Sequence, residues 1–467
     1  MENLHTGHRF VPLDPTSEII LTWERDGFPQ TDWDAFSFHG SCDTAAMQTA
    51  IQKTLSLRPV LQSHLVAQTR TFLQTYQWRI ADDPCPLEVT DLRDREKQPD
   101  DMDQWIQQTL TPTFNQNRQN LATAYPVRFI LLLLPEKHGF FVVVWHHAAI
   151  DGGGLFDFVR DLFSEYHRLV KGKDPEWASV AGLHAQAGKI AEVRPPRWGS
   201  FFKEALTQLI RYPVHDPAQV ISSPSASSGR NMIRYYFDDP VLQKALRERA
   251  RRAGGTLSDL CLAAAKLALQ EWNEDRGKPP QVMHHWLAVN QRLRQARTQT
   301  STQNNPLIAI DIPSLPADRK DAQALLRHVI NHRARMLAGG FDVALHRLTI
   351  GMMRAGRIMP ISIRYPALRL IMDHKLSFFL SNVGVIWPRI ENGKPTGETA
   401  IRYVGDMELL DIQSSTGSTF NNPIGLILWT FQGRLRFTFT IGRHRISDGD
   451  AQAFTRLVVD KVMSYLS

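Results

Sequence analysis

Residues 139–154 read Gly139-Phe140-Phe141-Val142-Val143-Val144-Trp145-His146-His147-Ala148-Ala149-Ile150-Asp151-Gly152-Gly153-Gly154, and the fold turns on this stretch. From Phe140 to Trp145 the residues are apolar without a break, the pattern of a strand covered on both faces. Two histidines close the run. After Asp151 and the glycines, Leu155, Phe158, Val159, Leu162 and Tyr166 fall on one helical stripe. The unit is therefore strand, histidine loop, helix. Upstream, residues 127–134 form another strand-like run, and Pro135-Glu136-Lys137-His138 separates the two, so an antiparallel hairpin is expected.

The same unit returns near the other end of the sequence. Phe437-Thr438-Phe439-Thr440-Ile441-Gly442-Arg443-His444-Arg445-Ile446-Ser447-Asp448-Gly449 is followed by Ala453, Phe454, Leu457, Val458 and Val462 at helical spacing. Both stretches are strand, His-x-x-x-Asp-Gly, helix, which suggests two related lobes forming a pseudo-dimer.

Between these ends, strand and helix patterns alternate. Residues 43–56 read as a helix capped by Asp43 and stopped by Arg58-Pro59. Phe72 to Trp78 has strand character. Residues 172–230 are less regular, with Arg194-Pro195-Pro196-Arg197 and the serine-rich 222–229, and read as a crossover. Within the crossover, Phe201 to Ile210 has the spacing of a short amphipathic helix, packed on the protein, acting as a lid or touching a membrane. Strand 232–237, helix 240–252 and a longer helix capped by Thr256 or Ser258 and ending near Trp272 follow. Strand-like runs recur at 282–289, 307–312, 377–386, 424–430 and 434–441. The fold class is α/β (mixed α+β). The expected division is a first lobe at 1–190, a crossover at 191–230 and a second lobe at 231–467.

The chain has 467 residues, of which 43 % are hydrophobic and 22 % charged, ordinary values for a globular protein. The start, Met1-Glu2-Asn3-Leu4-His5, lacks a signal-peptide pattern, and no apolar run reaches the roughly 18 residues of a membrane span. Cys42, Cys85 and Cys261 are too few and too scattered for a disulfide framework, so a reducing cytoplasm is the simplest location. Charge is uneven. Residues 1–190 hold 17 Lys and Arg against 24 Asp and Glu, a net of −7, and the remainder holds 37 against 23, a net of +14. A basic second half fits nucleic acid, a phosphorylated cofactor, an acidic carrier protein, an anionic membrane or simply water. The arginines at 247, 249, 251 and 252 pose the same choice on one helix.

A histidine just past a buried strand is rigidly held yet can face a cavity. Neutral imidazole accepts a proton from a hydroxyl or amine near neutral pH. Asp151 can orient the ring or hold the loop. Gly152 and Gly153 allow close approach, and the following helix start favours developing negative charge. These parts suit acyl transfer by His147, with His146 supporting. A capped turn with no chemistry fits the same spacing. A metal site would need a further ligand at suitable spacing, and none is evident. Neither a Gly-x-Ser-x-Gly elbow nor a Walker A or dinucleotide glycine fingerprint occurs. His284-His285 lacks a following Asp-Gly and reads as structural.

His146-His147-Ala148-Ala149-Ile150-Asp151-Gly152 resembles the His-His-x-x-x-Asp-Gly signature of the condensation-domain-like, coenzyme A-dependent acyltransferases. Arg58-Pro59-Val60-Leu61, Gly254 to Ala265, Val289-Asn290-Gln291-Arg292 and Ser381-Asn382-Val383-Gly384 are similar to other segments of that superfamily. The His444 segment resembles the dihydrolipoamide acyltransferases. The resemblance implies two chloramphenicol-acetyltransferase-like lobes with a channel between them. It implies that His147 is the base and that Asp151 is structural, paired with an arginine, for which Arg292 is the candidate. Ser381 and Asn382 would line the channel, help hold an oxyanion or simply cap a strand end, and His444 would be a second base or, by preference, a relic. The acyl donor would be a coenzyme A thioester or a phosphopantetheine-linked group, with no permanently bound cofactor and no metal. The acceptor would be an alcohol or an amine. An acyl or peptidyl carrier protein is an expected partner, with no nucleic acid and at most peripheral membrane contact. The first expectation is an enzyme of natural-product biosynthesis that forms an ester, favoured by the lack of a fused carrier or adenylation segment. The alternatives are an amide-forming condensation enzyme and a non-catalytic scaffold.

Overall fold

The computed structural model describes residues 10–25, 28–70, 73–94, 119–177, 198–212, 216–226, 229–290, 307–372, 375–391, 394–415 and 421–466. The first half runs β1 (Phe10–Pro12), α1 (Pro15–Arg25), β2 (Thr31–Ser41), α2 (Thr44–Ser56), β3 (Ser63–Arg70), β4 (Leu73–Ile80), β5 (Leu87–Asp91), β6 (Val127–Leu133), β7 (His138–His146) and α3 (Gly152–Lys171). Then come α4 (Trp198–Arg211), β8 (Arg230–Phe237), α5 (Pro240–Arg252), α6 (Leu257–Glu274), β9 (His285–Asn290), β10 (Leu307–Asp311), α7 (Ala322–Ala338), α8 (Phe341–Gly356) and α9 (Ile361–Met372). The last part holds β11 (Phe378–Val385), β12 (Pro388–Glu391), β13 (Lys394–Thr399), β14 (Tyr403–Val404), β15 (Asp406–Ser414), β16 (Ile424–Phe431), β17 (Arg434–Gly442) and α10 (Asp448–Ser464).

Two six-stranded sheets carry the fold, ordered β14-β15-β2-β7-β6-β5 and β10-β9-β11-β16-β17-β8. The repeated sequence unit is repeated topology. In the first sheet β5 is parallel to β6, and β6 and β2 flank β7 antiparallel. In the second, β11 is parallel to β16, and β16 and β8 flank β17 antiparallel. Helix α3 follows β7 and packs on α2; α10 follows β17 and packs on α6. The expected stripe of α3 is buried throughout, and so is the apolar run of β7. The hairpin turn between β6 and β7 places Glu136 and Lys137 at positive φ. Asp43 caps α2, and Thr256, rather than Ser258, caps α6 in a reciprocal box with Asp259. Two of the α5 arginines serve packing: Arg247 donates to Thr430 Oγ1 (2.6 Å) and Arg249 to the Tyr465 carbonyl (3.0 Å).

Late residues complete the first sheet and its core. Strand β15 pairs with β2 from Asp406↔Ser41 to Ser414↔Asp34. Trp387 stacks on Phe36 with ring centres 5.7 Å apart, and its Nε1–H donates to the Phe156 carbonyl (2.8 Å). The β14–β15 turn needs glycine at 405, because φ is +60° there and a Cβ would lie 2.7 Å from the Tyr166 ring.

On the opposite face of the first sheet, Met232 of β8 joins Trp33, Ala35, Val142 and Val144 in one buried cluster. Beside it Arg230 donates to Asp32 Oδ1 (3.0 Å) and to the Thr31 carbonyl (2.9 Å). Both side chains are buried, at 6 % and 1 % exposed. A lone buried charge is costly, whereas an apolar pair of similar volume is often tolerated. Arg230→Met alone is expected to lower stability by about 3–5 kcal/mol in denaturant unfolding. Adding Asp32→Leu should recover much of that loss; simple addition of two losses would contradict the pairing.

Asp34 is a second buried carboxyl of β2. Burial pushes it up to about 7, against the opposing hydrogen bonds from Ser414 and Trp145. Between about pH 4 and 7 the folded chain therefore binds a proton that the unfolded chain has released, so stability from this group falls as pH rises through that window. Asp34→Asn should flatten the fall of Tm with pH and be more stable than the parent at pH 8, by on the order of a few kcal/mol at most. An unchanged slope would refute the assignment.

Candidate functional site

The end of β7 is gripped on both sides. Pairing with β2 sets His146 opposite Thr31. The His146 N–H donates to the Pro126 carbonyl (2.8 Å), and the His147 N–H to the Gln30 carbonyl (2.9 Å).

The two imidazoles then diverge. His146 is fully buried. The Ala148 N–H donates to its Nδ1 (3.1 Å), so that nitrogen carries no proton and the ring hydrogen sits on Nε2. Nε2 lies 3.0 Å from Glu24 Oε2 and donates to it. Both ring nitrogens are committed, so His146 shapes the loop. Its partner Glu24 ends α1, a helix held by later residues. Arg357 pairs with Glu18 (2.8 Å), and the Tyr365 hydroxyl donates to the Thr22 carbonyl (2.9 Å). Burial raises the Glu18 carboxyl, and Arg357 opposes that rise.

His147 is only half-buried. Its ring centre lies 5.0 Å from that of Trp145. Trp145 is in turn fixed by the 2.7 Å bond from its Nε1–H to Asp34 Oδ2. Asp151 caps α3, its carboxylate accepting the Gly154 N–H at 2.7 Å. Arg292, the candidate partner for Asp151, lies outside the described residues. Gly152 and Gly153 begin α3, and a Cβ built on Gly152 would meet nothing within 4 Å, so the helix start beside His147 has room.

His146, His147, Asp151, Gly152 and Gly153 thus share one loop. Ser381 and Asn382 lie on β11 of the other sheet. The Asn382 amide donates to Ser258 Oγ (2.9 Å) and its Oδ1 accepts from the Gly384 N–H (2.8 Å), tying a strand bulge to the start of α6. The second histidine loop touches the support of the first: the Phe28 and His444 rings are 4.9 Å apart, and Phe28 lies two residues before Gln30. The spacing of the two loops is shared, but their parts are reassigned. Ser447 caps α10, and Asp448 instead accepts from Arg443 Nε (2.9 Å) and Asn231 Nδ2 (3.0 Å). Among the described residues, no group of three His, Cys, Asp or Glu side chains is placed to hold a metal ion.

Glu24, Gln30, Asp32 and Arg230 brace this loop although no local pattern points to them. Only the carboxylates at 32 and 34, flanking Trp33 in a strand that also holds Phe36 and Phe38, give a faint signal.

The comparisons with known proteins fit this geometry. The family described as "Condensation domain" matches residues 34–277, just over half of the chain. CymA of Salinispora arenicola, described as a "probable non-canonical nonribosomal peptide synthetase", is 28 % identical over 236 residues, or 48 % of this chain; the chain spans only 3 % of that protein. The first condensation domain of the CDA synthetase superposes with a TM-score of 0.68 at 14 % identity, covering 98 % of this chain and 96 % of that one. The starter condensation domain of rhizomide synthetase RzmA, solved with C8-CoA and Leu-SNAC, gives 0.66 at 13 % identity, covering 98 % and 94 %. The epimerization domain TycB3(E) of tyrocidine synthetase B gives 0.65 at 13 %, covering 98 % and 97 %. These structures share the two-lobed, chloramphenicol-acetyltransferase-like fold, and the presence of an epimerization domain among them means that fold alone does not name the reaction. The chain belongs to the condensation-domain family.

Proposed function

We propose that the protein moves an acyl group from a thioester to an acceptor, with His147 as general base. The observation that carries this is the division of labour at the end of β7. His146 has both nitrogens engaged inside the protein, while His147 is half-buried next to an open helix start. The donor is a coenzyme A thioester or a phosphopantetheine-linked acyl group. The acceptor attacks the thioester carbonyl as His147 takes its proton. The tetrahedral oxyanion collapses and expels the thiolate, and the imidazolium returns the proton to sulfur. The N-terminal end of α3 is the proposed source of oxyanion stabilisation.

For the acceptor we favour a hydroxyl. An alcohol gains most from a base, because it is a poor nucleophile until its proton leaves, whereas a free amine already carries a reactive lone pair. Similarity to a peptide synthetase favours the second reading, an amide-forming condensation on carrier-bound substrates. Paired alcohol and amine acceptors, each offered with coenzyme A and carrier-linked donors, separate the two. Turnover restricted to amines on a carrier would overturn the hydroxyl reading. Tight binding of donors with no turnover would favour a scaffold.

His147→Ala should lower turnover by about 10²–10⁴-fold, whereas His444→Ala should stay within a few-fold of the parent; equal losses would contradict the assignment. Glu24→Leu strands the His146 Nε2–H and should lower both Tm and rate, and Glu24→Gln, which keeps an acceptor there, should restore most of both. Rates unaffected by Glu24→Leu would remove Glu24 from the account. Asp151→Ala should cost about 0.5–2 kcal/mol through loss of the cap, measured by thermal unfolding.

A further inference from the structure

Helix α4 presents an apolar face that the described residues leave uncovered. Its inner side is packed: Phe201 meets Phe341 of α8 with ring centres 4.7 Å apart, and the Gln208 amide reaches His332 and Met336 of α7 (3.2 and 3.0 Å). Its outer side carries Trp198, Phe202, Leu206, Leu209 and Ile210, each between 40 % and 75 % exposed. Steps of three and four residues put these on a single stripe. The apolar arc of the helix therefore runs from the protein surface out into solvent. Such stripes are the mark of helices that lie in a membrane interface.

The charges around the stripe say what it meets. Lys203 and Arg211 on α4 are exposed. The carboxylate on α4, Glu204, is turned inward to Arg335 at 3.3 Å. A second copy docked face to face would oppose these cations to their own images. An anionic bilayer accepts both features, taking the apolar side chains below its headgroups and the cations at its phosphates. Among the described residues no helix is long and apolar enough to cross a membrane, so the contact is peripheral. We propose that α4 docks the protein on an anionic lipid surface, lying parallel to the membrane plane. The proposal is independent of the role of His147.

The test is cosedimentation of the full chain with vesicles of equimolar phosphatidylserine and phosphatidylcholine, beside pure phosphatidylcholine vesicles. The parent should bind the anionic vesicles, more weakly at high salt, and the pure phosphatidylcholine vesicles poorly. Phe202→Glu with Leu206→Glu should weaken partition at least about tenfold while leaving turnover of soluble thioester substrates unchanged. Lys203→Glu with Arg211→Glu should abolish the preference for anionic lipid. If the first pair perturbs folding by circular dichroism, Leu209→Gln with Ile210→Gln carries the same test. Absence of vesicle binding by the parent, or binding undiminished in these variants, would overturn the proposal. So would a dimer in sedimentation velocity that the same substitutions dissociate, since a second copy would then be the occupant.

Discussion

Everything at the candidate site depends on the antiparallel register of β2 against β7. That register sets Thr31 opposite His146 and Asp34 opposite Val143. It brings the Gln30 carbonyl to the His147 N–H, and it sets Asp34 where the Trp145 indole can reach it. It also leaves Asp32 and the Thr31 carbonyl within reach of Arg230 from the other sheet. A slip of one residue would exchange the faces of β2, burying Trp33 where Asp34 now sits and breaking all four contacts. The strand is thus both a core element and the frame of the candidate site.

A base at the end of a strand is useful only if its neighbours do not compete for the same proton. The fold buries His146 and gives each of its nitrogens a protein partner. Its tautomer is fixed by a backbone N–H on one side and a carboxylate on the other. That carboxylate belongs to α1, which Arg357, just past the end of α8, and Tyr365 of α9 hold. Elements from both halves of the chain therefore meet at one imidazole. The pseudo-dimer repeats the scaffold around His444 but not its wiring, since the cap passes from the aspartate to Ser447 and Asp448 turns to Arg443.

Much of this was legible in the sequence, and the reasons are local. The β7 run, the α3 stripe and the Asp43 and Thr256 caps are written in periodicity and capping chemistry, which act over a few residues. The echo at 437–449 was legible because the same strand–loop–helix pattern occurs twice. What escaped was non-local. Strand β2 carries Asp32 and Asp34 in a buried position, which hides its apolar alternation. Strand β15 enters the first sheet from some 370 residues downstream, and no window of sequence reports such pairing. Glu24 and Arg230 look like ordinary charged residues until the fold brings them to His146 and Asp32. Asp151 caps α3, while its expected arginine partner at 292 lies outside the described residues.

The most direct trial of the central claim is chemical rescue. In a folded His147→Gly variant, acyl transfer from a thioester should be slow and should rise in proportion to added neutral imidazole, which supplies the missing base from solution. A His147→Gly variant that turns over as fast as the parent before any imidazole is added would contradict the account.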